Sequence, residues 1–137
     1  MRTQMSEMKQ ELQGVIKGSV LVADDSGYEE ARQIWNAMID RRPASIVQCA
    51  DADDVAAAVG FARRNKFEIS IRGGGHNIAG SSLCDHGLTI DFSKMKRVRV
   101  DAANRRAYVE PGATLADLDE ATMAHGLATP VGINSTT

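Results

Sequence analysis

Ile69-Ser70-Ile71-Arg72-Gly73-Gly74-Gly75-His76-Asn77-Ile78-Ala79-Gly80 is the stretch on which the fold turns. Ile69 and Ile71 alternate with polar neighbours as in a half-buried strand, and the chain then runs into three glycines closed by a histidine. Glycine reaches positive φ without steric cost and lets backbone approach a ligand closely. Successive N–H groups in such a turn can converge on an anion as a nest, and a phosphate is the guest this chemistry suggests. Neither Gly-x-x-x-x-Gly-Lys-Ser/Thr nor Gly-x-Gly-x-x-Gly opening a helix is well met, so the loop reads as a different dinucleotide cradle. Taken alone, the three glycines fit a tight surface turn between strands equally well.

Upstream, Ser45-Ile46-Val47-Gln48-Cys49 reads as a strand bounded by polar residues. Asp51, Asp53 and Asp54 then open a helix whose apolar face is Val55, Ala58, Val59 and Ala62, with Arg63, Arg64 and Lys66 at its end. Three aspartates so close invite a metal reading, but capping and helix-end electrostatics account for them. Strand, helix and the Ile69 strand form a βαβ unit, with parallel strands and a right-handed crossover expected. The glycine loop would therefore leave the carboxyl end of a parallel strand, where open α/β sheets bind ligands.

Nearer the start, Met5, Met8, Leu12 and Val15 recur at helical spacing, with Gly14 and Gly18 as terminators. After the apolar piece Val20-Leu21-Val22, Ser26 is a plausible N-cap for a helix carrying Tyr28, Ala31, Trp35, Met38 and Ile39 on one face and ending at Arg42-Pro43. Tyr28 and Trp35 are expected in the core. Beyond the loop come short strands at 88–91, 96–100 and 105–110, the last two joined by a turn at Asp101-Ala102-Ala103-Asn104, so this part should be antiparallel. Asp91 either caps the turn at Ser93, the simpler reading, or faces a cofactor. Pro111-Gly112 ends the last strand, and Thr114 to Asp117 resembles a capping box opening a helix through Leu118, Ala121 and Thr122 to Gly126. His125 sits in its last turn and is assigned no chemistry.

Composition narrows the class. A chain of 137 residues suits one domain, and at about 150 residues a domain buries about 68–70% of its unfolded surface, enough for a core without staples. Cys49 and Cys84 show no ligand-like spacing and read as reduced, buried thiols. His86 and His125 stand at no ligand-like spacing from His76, so no metal is expected. The N-terminal residues lack an apolar signal core, and no apolar run reaches the roughly 20 residues of a membrane span, so a soluble, cytoplasmic protein is expected. A net charge of −2 with interspersed signs, and a single tryptophan, argue against a nucleic-acid partner.

Three segments together carry a family resemblance: Arg72-Gly73-Gly74-Gly75-His76-Asn77-Ile78-Ala79-Gly80, then Leu88-Thr89-Ile90-Asp91-Phe92-Ser93-Lys94-Met95, then Val109-Glu110-Pro111-Gly112-Ala113-Thr114-Leu115. In wording and order they resemble the FAD-linked oxidases of the vanillyl-alcohol oxidase and berberine-bridge-enzyme group, from about Pro43 onward. The resemblance implies an α+β (α/β) fold, the N-terminal part of a PCMH-type FAD-binding domain. Its first subdomain would span about 1–92, a small parallel βαβ sheet with helices, and a second would begin at about 93–137 with short antiparallel strands. It also implies that the loop wraps the FAD pyrophosphate through Gly73, Gly74, Gly75 and Asn77, with Gly80 and Gly132 as further backbone contacts. Arg72 would lend charge to the pyrophosphate or pair with a carboxylate, and His76 would be the covalent attachment point for the flavin 8α-methyl carbon. Attachment needs a neutral imidazole nitrogen as nucleophile, and histidine, with a reference pKa of about 6.5, supplies one near neutrality.

The resemblance further implies that Ala128 to Thr137 starts the next flavin-contacting segment and that the chain is the N-terminal portion of a larger flavoenzyme. No catalytic residue is expected within it. A second attachment through cysteine is not expected, because Asn134 stands in that place. The parent would oxidise an alcohol, sugar or amine by hydride transfer to FAD, with a small-molecule substrate as partner. A flavin-free module that self-associates or binds a partner is the alternative.

Overall fold

A computed structural model describes the backbone of residues 2–137 and the side chains from Ser6 onward. Helix α1 spans Arg2–Gln13, and Met8 and Leu12 bury on its inner side while Ile16 follows beyond its end. Val15 is exposed, because the chain has left the helix by then and the helical spacing no longer places it. The Met5 side chain lies outside the described residues.

Strands β1 (Ser19–Leu21), β2 (Ser45–Gln48), β3 (Ile69–Arg72) and β4 (Leu88–Asp91) form one sheet in the order β1-β2-β4-β3. β1 pairs antiparallel with β2, whereas β4 pairs parallel with both β2 and β3. The two strands of the βαβ unit therefore point the same way but do not touch, since β4 lies between them. All four β4 residues are buried, as a central parallel strand covered on both faces must be. Its short apolar run could not announce this position, because periodicity does not name a strand's neighbours.

β3 is the edge strand, and its alternation runs opposite to the expected one. Ser70 is buried and donates or accepts a 2.8 Å hydrogen bond with Thr89, whereas Ile69 and Ile71 are on the exposed side. Helix α3 (Ala52–Asn65) packs Ala58, Phe61 and Ala62 inward, while Val59 is largely exposed. Asp51 caps it, accepting hydrogen bonds from the amides of Asp53 and Asp54 at 3.0 and 3.1 Å. Asp54 is a different device. Its buried carboxylate accepts from the backbone N–H groups of Lys17, Gly18 and Ala50 at 2.8, 2.9 and 2.9 Å, tying the start of the chain to α3.

The second expected helix shrinks to one turn, α2 (Tyr28–Ala31), preceded by Gly27 at φ +93° rather than by a capping Ser26. Tyr28 and Ala31 are buried, with the Tyr28 hydroxyl donating to Pro43 O at 2.7 Å. Trp35 and Met38 are exposed, so the expected core role of Trp35 is corrected and the shared helical face does not form. The amide of Trp35 donates to Gly75 O and that of Met38 to the side chain of Asn36, which takes the backbone out of helical bonding.

Strands β5 (Val98–Asp101) and β6 (Arg106–Val109) form the expected antiparallel hairpin, with Asp101 accepting from both the amide and the side chain of Asn104 at the turn. Helix α4 (Leu115–Met123) begins with the expected capping box between Thr114 and Asp117. It ends before His125, which is exposed beyond the last turn. Cys49 and Cys84 are buried free thiols, and burial pushes the Cys49 thiol up to about 12, with the nearby carboxylates of Asp54, Asp91 and Asp51 adding to the effect.

Candidate cofactor-binding site

The glycine loop leaves the carboxyl end of β3, beside the carboxyl ends of β2 and β4. Arg72, at the strand end, is already occupied: its guanidinium approaches Asp91 Oδ2 at 3.4 Å and donates to Gln33 O at 3.0 Å. Its Nε is buried and has no hydrogen-bond partner among the described residues. Asp91 is fully buried and also accepts from the amide and hydroxyl of Ser93 at 2.9 and 3.0 Å and from Gln48 at 3.2 Å. Asp91 thus caps the turn at Ser93, and Arg72 pairs with a carboxylate at the end of the strand from which the loop departs.

Gly75 is the inward-facing member of the triplet. It is buried at φ +75°, and a Cβ there would stand 3.2 Å from Arg72 Nε and 3.4 Å from Ile34. Gly74 is exposed, and a Cβ there would meet chiefly the His76 ring. Gly73 lies under the second part of the chain, where a Cβ would stand 3.2 Å from Pro111 O. Gly80, at φ +76°, closes the loop against Ile39, which leaves no room for a Cβ at 2.8 Å. Asn77 accepts from the amide and hydroxyl of Ser81 at 3.0 and 3.1 Å, so its side-chain oxygen shapes the loop. Gly132 is not drawn to the loop, and the one atom within 4 Å of a Cβ built there belongs to Leu115.

Segment 33–39 forms the wall behind this loop, a role its residues gave no sign of. Trp35 N–H donates to Gly75 O at 2.9 Å, and the Asn36 side chain donates to Ile78 O at 2.8 Å. The Trp35 indole stacks on the His76 imidazole, with centroids 5.5 Å apart and planes inclined by 28°. Among the described residues the imidazole makes no hydrogen bond.

The loop's donors decide what it can hold. No backbone N–H of residues 73 to 79 donates a hydrogen bond to any described residue, although the carbonyls of Gly75, Asn77 and Ile78 are all engaged. Gly74, Asn77, Ile78 and Ala79 are exposed, so solvent can meet their amides, and a run of such amides on a glycine loop is also suited to phosphate oxygens. A cleft of about 420 Å³ lies at the strand ends, lined by Arg72, Gln48, Ser93, Lys94, Glu30 and Ser26 but by none of residues 73–79. Among the described residues no cluster of His, Cys, Asp or Glu could hold a metal ion, and no helix is long and apolar enough to cross a membrane.

These features define a dinucleotide-binding α/β domain with free amides at the end of a parallel strand. The chain belongs to the FAD-binding domain family, whose model matches residues 43–137. It is 37% identical over 119 residues to (R)-6-hydroxynicotine oxidase of Paenarthrobacter nicotinovorans, covering 87% of this chain and 26% of that protein. The crystal structure of 6-hydroxy-D-nicotine oxidase from Arthrobacter nicotinovorans superposes with a TM-score of 0.85 at 36% identity, over 88% of this chain and 27% of that one. BBE-like 1 of Physcomitrella patens superposes with a TM-score of 0.87 at 28% identity, over 94% and 28%. The chain thus spans about a quarter of the length of the relatives it matches. Its fold is that of the PCMH-type FAD-binding domains, and its relatives are FAD-linked oxidoreductases.

Proposed function

We propose that the chain supplies the diphosphate-binding and flavin-attaching part of an oxidoreductase that oxidises an alcohol, sugar or amine. The observation that carries this reading is the run of unpaired amides at 73–79 ending a parallel strand, with an imidazole free of hydrogen bonds in its middle. Bound FAD would supply the hydride acceptor. The chain's own residues do the rest of the local work. Amides from Gly73 to Asn77 hold the diphosphate, the Arg72–Asp91 pair keeps the strand end from shifting, and His76 bonds to the flavin. The name of the relative in Paenarthrobacter, a nicotine derivative's oxidase, favours an amine within the substrate class.

The catalytic base is assigned to residues outside 1–137, so this chain alone would be inactive. The subdomain division at about residue 92 belongs to the same proposal, as do a small-molecule substrate, a cytoplasmic setting, and no nucleic-acid or membrane partner. Unreleased flavin is the test. Wild-type protein should keep its flavin fluorescence in a denaturing gel and His76→Ala should lose it while remaining folded. Complete release of flavin from wild type by acid would defeat the attachment.

A second reading has an observation of its own. Ile71 on β3 and Tyr108 and Val109 on β6 are exposed, and an apolar surface of this kind would drive self-association or partner binding by a flavin-free chain. Light scattering on the 137-residue chain would show dimers or larger species under this reading and a monomer otherwise.

A further inference from the structure

Trp35 is 73% exposed, so burial does not explain where its side chain sits. What fixes it is the loop itself. Its amide holds Gly75 O, its neighbour Asn36 holds Ile78 O, and these two grips bracket His76 on either side. The indole then covers one face of the imidazole at 5.5 Å. With no hydrogen bond among the described residues to set the direction of the partly buried ring, this stack restrains rotation of the imidazole about its side-chain torsions.

We propose that Trp35 is a positioning residue for flavin attachment, holding the His76 ring in the orientation from which its nitrogen meets the flavin methyl carbon. The inference rests on the covalent reading of His76. In the step it serves, the His76 nitrogen bonds to the 8α carbon. The methyl C–H and the imidazole N–H bonds would break, both hydrogens going as protons to the flavin with the electron pair, and dioxygen would take those two electrons and two protons as hydrogen peroxide. A preset ring geometry speeds such a step without adding any group to it.

The test is the rate at which whole apoprotein, given FAD, acquires acid-resistant flavin. Trp35→Leu and Trp35→Met remove the aromatic face and should slow attachment roughly three- to tenfold, the worth of one aromatic pair. Trp35→Phe restores a ring and should return the rate to within about twofold of wild type. FAD affinity measured before attachment should stay within about twofold in all three, which a merely structural defect would not allow. Circular dichroism reports folding, and two apolar variants guard against one failing to fold. Equal rates in wild type, Leu and Met would overturn the role of Trp35, as would a Phe variant as slow as Leu, a matching loss of FAD affinity, or misfolding of all three. Those outcomes leave His76 untouched. Flavin that acid releases from wild type, or that stays bound in His76→Ala, would instead defeat the underlying attachment.

Discussion

Two regions of this molecule gather backbone N–H groups, and they are satisfied in opposite ways. Around Asp54, the amides of Lys17, Gly18 and Ala50 close on a buried carboxylate, so the chain supplies its own anion. Along residues 73–79 the amides face no acceptor within the described residues. A protein that could fill one nest with a side chain has left the other open. Buried donors left unpaired cost stability, whereas the exposed amides at 74 and 77–79 are open to solvent and to an incoming anion. Under the proposed function the first region is architecture and the second is the binding site.

The largest effect should come from emptying the filled nest. Asp54→Ala removes three charge-assisted hydrogen bonds and leaves three amides with no acceptor, and should cost about 3 kcal/mol in chemical denaturation. Its pH behaviour gives a second check. Burial pushes the Asp54 carboxyl up, but the amides of Ala50, Lys17 and Gly18 outweigh it and hold it below its ordinary value. The unfolded state therefore takes up a proton more readily, and the contribution is complete above the unfolded value of about 3.9 and lost as pH falls through the lower folded one. Wild-type melting temperature should drop more steeply than that of Asp54→Asn as pH is lowered below about 4.

Next in size is Gly75→Ala, which forces a side chain into positive φ against Arg72 and Ile34. It should cost about 1–2 kcal/mol of stability and weaken FAD binding as well. Gly74→Ala separates the two consequences. That residue is exposed and a methyl group there touches mainly the His76 ring, so stability should change by about 0.5 kcal/mol or less. FAD affinity should nevertheless fall about tenfold by titration of apoprotein, because a methyl group on the loop hinders the close approach of a diphosphate to its amides that glycine permits. Equal affinity in Gly74→Ala and wild type would break the contrast between the two regions. The smallest effect belongs to Ile71→Thr on the exposed side of β3, where thermal denaturation of the 137-residue chain should register about 0.5 kcal/mol or less.

Much of this was legible in the sequence because local chemistry wrote it there. The Asp51 cap, the Thr114–Asp117 box, the Asp101–Asn104 turn and the parallel strand before the glycine loop all follow from residue types at fixed offsets. What stayed hidden depended on distant partners. Alternation at Ile69–Ile71 reported two faces but not which one is buried, and the Ser70–Thr89 hydrogen bond decides that. Trp35 sat at helical spacing from Tyr28, yet its amide is claimed by Gly75, forty residues on. At Gly80 the closeness of Ile39, which leaves no room for a Cβ, likewise has no local signature. The open amides themselves have no sequence signature beyond glycine, since every residue but proline carries one.

The crystal structure of the FAD-loaded protein tests the central claim most directly. Diphosphate oxygens should lie about 3 Å from backbone nitrogens between residues 73 and 79, with the His76 ring against the flavin methyl end. A diphosphate bound elsewhere, with those nitrogens facing only solvent, would contradict the account.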